Sequence, residues 1–104
     1  METKEKAMKF DGDKPRMDLV DKEIILELAK ILTFGAEKYE AHNWKIGLPM
    51  SRYYSACMRH LLAWNSGETL DPESGLNHLS HASCNLMFML YFTKNKPRLD
   101  DRHI

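Results

Sequence analysis

An excess of charge of either sign is missing from this chain: 15 lysine and arginine residues face 15 aspartate and glutamate residues, for a formal net charge of +0. A dedicated duplex-DNA binder carries a basic surplus to neutralise phosphates, so no nucleic-acid partner is expected. Cysteine is scarce too, with Cys57 and Cys84 the two present. Small secreted domains are braced by larger, even sets of cysteines, so this pair points to buried thiols in a reducing compartment. Long apolar runs are absent as well. The longest, Leu86 to Phe92, falls far short of the ~20 residues that span a bilayer. The opening METKEKAMKF has charge but no apolar centre and does not read as a signal peptide. A soluble, cytoplasmic protein with no membrane partner is expected. No repeat or low-complexity tract interrupts the 104 residues, which leave room for one domain and one modest core. Domains this small often borrow stability from oligomerisation.

What is present is helical periodicity. Residues 1–20 form a polar N-terminal arm holding Gly12 and Pro15. Asp21 is placed to cap a first helix, on which Ile24, Ile25, Leu28, Ile31 and Leu32 make one apolar face. That helix can run on through Glu37 to Glu40. The loop AHNWKIGLP follows, and Ser51 is the expected cap of a second helix reaching about Asn65, with Tyr54, Cys57, Met58, Leu61 and Leu62 as its apolar face. GETLDPESG is a tight acidic connection to a third helix from about Ser74 to Thr93, and residues 94–104 form a polar tail expected to fray. No stretch reads as a strand. Short connections make consecutive helices antiparallel, so the expected fold is all-α, a small antiparallel helical bundle within a single domain.

Several groups could carry chemistry. His78, His81 and Asn85 lie at i, i+3 and i+7 of the third helix, one line of polar groups on a mostly apolar element. Buried polar groups without partners cost roughly 1–3 kcal/mol, so such a line needs partners or a ligand. Two imidazoles a turn apart can share a metal, or can be bonded to neighbouring protein groups. An antiparallel hairpin centred near residue 70 brings Arg59 and His60 to the level of His78 and His81. Arg59 could grip a phosphate or simply face water, and His60 could move a proton or orient a water. Glu68, Asp71 and Glu73 at the hairpin tip offer the oxygens that hard cations seek, although acids are also ordinary in exposed turns. Lys38, Tyr39, Asn43 and Trp44 supply a cation, an aromatic face and an amide suited to a nucleotide, or a loop anchored in the core by Trp44. Lys14 and Arg16 in the arm are further candidates for phosphate.

Four stretches together, GDKPRMDL, FGAEKYEAHNW, RHLLAWNSGE and DPESGLNHLSHASCN, cover most of the chain in one order. They resemble the phage dATP/dGTP diphosphohydrolases, MazG-like enzymes sometimes called MazZ. The resemblance implies an all-helical nucleotide pyrophosphatase that cuts purine deoxynucleoside triphosphates to the monophosphate and pyrophosphate. It implies a divalent metal, Mg2+ or Mn2+, and a homodimer or higher homo-oligomer, working in the host cytoplasm on the phage nucleotide pool. MazG enzymes hold their metal with paired acids on successive helices. Here Glu37 and Glu40 are followed by Glu68 and Asp71 at a turn beside Pro72, and His78 and His81 take the mid-helix place. The metal ligands are accordingly expected among Glu68, Asp71, Glu73, His78 and His81, with Glu37 and Glu40 as the other choice. His60 or Glu73 would accept the proton of the attacking water, and Lys38 and Arg59 would supply fixed positive charge. An HD-type phosphohydrolase is a poorer match, since no His-Asp dipeptide occurs. A non-catalytic phage interaction or regulatory protein is the contrasting expectation.

Overall fold

Three α-helices, α1 (Lys22–Lys38), α2 (Met50–Asn65) and α3 (His78–Asn95), make up the frame of the computed structural model, which describes residues 6–104. Short 3-10 turns occupy Met17–Leu19, Asn43–Ile46 and Pro97–Leu99. Among the described residues the only extended pairing is one isolated bridge between Leu70 and Asn77, so the chain is all-α. No helix among them is long and apolar enough to cross a membrane. The first residues of the expected arm, 1–5, lie outside the described part, and residues 6–20 are exposed.

Local chemistry sets the helix ends. The Asp21 carboxylate accepts from the Glu23 amide at 2.8 Å, relieving one of the orphan donors of the first turn. Asn77 does the same for α3 through the Leu79 amide, so α3 begins at His78 and not near Ser74. The residues between are held as a turn, with Gly75 at φ 72° and the Asp71 carboxylate accepting from the Ser74 amide and hydroxyl. Pro49, not Ser51, occupies the N-cap of α2. Ser51 is engaged elsewhere: its amide and hydroxyl both donate to the Asp101 carboxylate, which ties down the tail expected to fray. α1 stops at Lys38, leaving Glu40 beyond its last turn.

Helices α2 and α3 pack antiparallel along their length. Their core is Phe92, with no exposure, beneath Met50 and Tyr53. Tyr53 and Phe92 stack at 5.6 Å, and Trp44 from the α1–α2 loop stacks on Phe88 at 5.3 Å. The buried stripe of α2 is therefore Met50, Tyr53 and Cys57, whereas Tyr54 and Leu62, expected inside, are 58% and 61% exposed. Gly47 lets the loop close on this core: at φ 88° its missing Cβ would lie 2.6 Å from Leu99 Cδ1. Lys96 Nζ donates to the carbonyls of Lys45 and Ile46 and fastens the same loop to the end of α3.

Helix α1 is attached more lightly, chiefly against α3. Ile31 is its one buried residue, and Ile24, Ile25 and Leu26 are each more than half exposed. The Cα radius of gyration is 18.3 Å, well above the ~13 Å of a compact chain this long.

Candidate functional site

The α2–α3 hairpin brings three imidazoles together near its tip. His60 projects from α2, with His78 and His81 one turn apart on the facing helix. The His60 and His81 rings stack at 4.5 Å, 5° from parallel. His60 Nδ1 lies 2.8 Å from His78 Nδ1, and His78 Nε2 lies 2.7 Å from Glu68 Oε1. His81 Nε2 lies 2.7 Å from Ser74 Oγ, which donates in turn to the Asp71 carboxylate at 2.9 Å. Every buried side-chain nitrogen and oxygen among the described residues has a hydrogen-bond partner.

These surroundings set the charge states. Burial holds His60 below the ordinary imidazole value, helped by repulsion from His81 and His78. Burial likewise lowers His81, against the opposing pull of Asp71. For Asp71, burial acts to raise the value, but the two bonds from Ser74 and the nearby histidines outweigh it and the carboxyl ends below its usual range. Neutral imidazoles beside an ionised carboxylate follow at neutral pH. The thiols are different: burial pushes Cys84 up to about 11 and raises Cys57, which makes both poor nucleophiles.

A cleft of about 960 Å³ opens beside this cluster, between α1, the α1–α2 loop and the hairpin. Its polar end holds His60, Asp71, Glu73, His81 and Lys38. Tyr53 and Phe88, seven residues along α2 and α3 from His60 and His81, line it about 10 Å away. The ionised side chains of the lining are three carboxylates, Glu40, Asp71 and Glu73, against the single ammonium of Lys38. Lys38 is itself paired with Glu73 across the gap between α1 and the hairpin, a contact that raises the lysine's pKa.

The expected site residues divide into three groups. His60, Asp71, Glu73, His81, Lys38, Tyr39, Asn43 and Trp44 all line the cleft, though Trp44 also packs on Phe88 and Tyr91. Glu68 and His78 stand behind His60, outside the lining. Arg59 donates to Ser55 one turn back, Arg16 forks onto Asp18, and Lys14 is exposed in the arm, all away from the cleft. Glu37 faces a separate shallow groove, so it does not share the cleft with Glu40. His60, Asp71 and His78 form the one group among the described residues whose ligand atoms lie within 4.8 Å of one another, a spacing open to a cation. Ser74 was not foreseen as the link between Asp71 and His81. Its place three residues after an aspartate in a turn is the signal that could have found it.

A family model described as dATP/dGTP diphosphohydrolase, N-terminal, matches residues 4–102. The chain belongs to that family. A curated member, the dATP/dGTP diphosphohydrolase of Salmonella phage PMBT28, is 38% identical over 96 residues, 92% of this chain and 33% of that protein. The chain thus spans about a third of the length of the curated relative it matches. No solved structure matches it. The family's N-terminal span takes in the whole histidine cluster, the hairpin tip and the residues lining the cleft.

Proposed function

We propose that this chain hydrolyses dATP and dGTP to the monophosphate and pyrophosphate with the help of a divalent metal. The observation that carries the reading is the two-ended cleft. An apolar, aromatic end formed by Tyr53 and Phe88 suits a purine base, and an end rich in imidazole and carboxylate lies about 10 Å along the same helices. The name of the phage relative supports the substrate class.

The donor set fits a cation. Three carboxylates against one ammonium would repel a triphosphate, and a divalent cation would offset that repulsion. Asp71 and His60 would hold it, with His81 beside them. Mixed nitrogen and oxygen donors favour Mn2+ over Mg2+, which prefers oxygen alone. When bound, the ion neutralises phosphate charge and lowers the pKa of water.

In the reaction, a water oxygen bonds to the α-phosphorus, the bond from that phosphorus to the bridging oxygen breaks, and pyrophosphate leaves. With His60 holding the cation, Glu73, freed as Lys38 turns to the phosphate oxygens, takes the water's proton. Glu73 holds Lys38 at the cleft edge, and Lys38 can exchange that carboxylate for phosphate oxygens. Asn43 and Tyr39 contact the base from the loop side. A second copy of the chain covers the exposed apolar faces of α1 and α2, giving a two-fold homodimer or a higher assembly. Acting in the host cytoplasm, such an enzyme would remodel the phage nucleotide pool.

The test is turnover of a deoxynucleoside triphosphate panel with Mn2+ or Mg2+. Pyrophosphate release from dATP and dGTP, abolished by chelation, is expected. Absence of turnover on every triphosphate would leave the chain as a helical interaction protein.

A further inference from the structure

His60 faces the cleft, yet a second imidazole, His78, is packed behind it at 4% exposure. Both of its nitrogens are taken, Nε2 by Glu68 at 2.7 Å and Nδ1 by His60 Nδ1 at 2.8 Å. A carboxylate can only accept, so the proton of a neutral His78 must sit on Nε2. Its Nδ1 is then a bare acceptor. The one proton shared between the two Nδ1 atoms therefore belongs to His60, and a neutral His60 is left with no proton on Nε2. The ring cannot turn freely to undo this, because His81 stacks flat against it at 4.5 Å.

We infer that Glu68 and His78 are positioning residues, a lock that fixes the proton of His60 on Nδ1 and presents its Nε2 lone pair to the cleft. That atom can bind a divalent cation or accept a proton from water. His78 itself has no lone pair left to give, so within the close group of His60, Asp71 and His78 the members open to a cation are Asp71 and His60. The use made of the lone pair rests on the hydrolase reading above, whereas the lock follows from the hydrogen-bond geometry of the neutral rings. Partners that fix a ligand histidine in this way are worth about 10–100-fold in metal affinity.

Nitrogen-15 correlation spectra of the histidine rings, recorded on the metal-free protein above the reference histidine pKa of ~6.5, read the tautomers directly. The expected pattern is protonated Nδ1 and bare Nε2 for His60, with the reverse for His78. A proton on His60 Nε2, or two protons on His78, overturns the lock. In Glu68→Leu, checked for folding by circular dichroism, His60 should become a mixture of tautomers, and calorimetric Mn2+ affinity should fall about 10–100-fold. Glu68→Gln keeps an acceptor oxygen and should restore most of both. An unchanged His60 spectrum with unchanged Mn2+ affinity in Glu68→Leu also overturns it. Because the spectra need no turnover, a locked His60 in a protein that cleaves no triphosphate would sink the hydrolase reading alone. Turnover by a protein whose His60 carries its proton on Nε2 would sink the lock alone.

Discussion

In the α2–α3 hairpin, apolar side chains find their partners within the chain: Phe92 is wholly buried, and Met50 and Tyr53 close over it. In α1, Ile24, Ile25 and Leu26 are each more than half exposed, and polar contacts do much of the holding. The Ser80 hydroxyl donates to Glu27 at 2.8 Å, and Lys38 pairs with Glu73. The two connections are of nearly equal length, residues 39–49 before α2 and 66–77 in the hairpin, so the difference lies in packing: the α1–α2 loop is pinned mainly by Trp44 and Gly47 against the hairpin core, and α1 itself makes few apolar contacts. The cleft therefore has one firm wall, which carries the imidazoles, and one lightly attached wall, which carries Lys38 and Tyr39. Chemistry needing sub-ångström placement sits on the firm side, and groups that meet a ligand can sit on the other.

The contrast can be broken in several ways, beginning with the hairpin core. Phe92→Ala should cost about 3–5 kcal/mol of stability in urea unfolding, a large part of what a small domain has. A loss below 1 kcal/mol would mean that the hairpin is not the firm region. Gly47→Ala adds a methyl where Leu99 and Phe92 already stand, at a positive φ, and should cost about 1–3 kcal/mol.

The imidazoles sharpen the comparison through pH. His60 and His81 have folded values below their unfolded ~6.5, so the unfolded chain binds protons first as pH falls. Their contribution to stability is complete above ~6.5 and is lost as pH falls through the lower folded values. Unfolding free energies measured from pH 8 downward should decline in that window, and His81→Asn should flatten the decline. Asp71, also depressed in the fold, adds a further loss below its unfolded ~3.9.

On the lightly attached wall, Lys38→Ala should change stability by less than about 1 kcal/mol, since its partner is an exposed carboxylate. It should still lower kcat/KM for dATP at least ~10-fold, about 1.4 kcal/mol of barrier. Unchanged kinetics would make the Lys38–Glu73 pair a surface contact only. The smallest effect on the isolated fold belongs to Ile25→Ser, within about 0.5 kcal/mol. Its expected signature is weaker self-association in sedimentation, and a monomeric wild-type protein at micromolar concentration would remove the two-fold assembly.

Much of the fold was legible from spacing alone. The three helices, the Asp21 cap and the hairpin with GETLDPESG at its tip follow from 3.6-residue periodicity, turn residues and loop length, all local properties of the chain. The same local signals put His60, His78, His81 and the tip acids in one neighbourhood. They could not choose the buried stripe of α2, because Tyr54, Met58 and Leu61 repeat as regularly as Met50, Tyr53 and Cys57, and periodicity carries no information about which stripe meets a neighbour. Nor could they tell ligand from support. Only packing decided that Glu73 turns to Lys38, that Ser74 joins Asp71 to His81, and that His78 sits between Glu68 and His60. Apart from the Asp71–Ser74 bond, which closes within one turn, each of these links is a hydrogen bond or ion pair about 3 Å or less in length between residues set by different elements. A fraction of a turn's rotation of one helix against another would reassign them all, and that rotation is fixed by side-chain interlock in the core, not by the order of the residues.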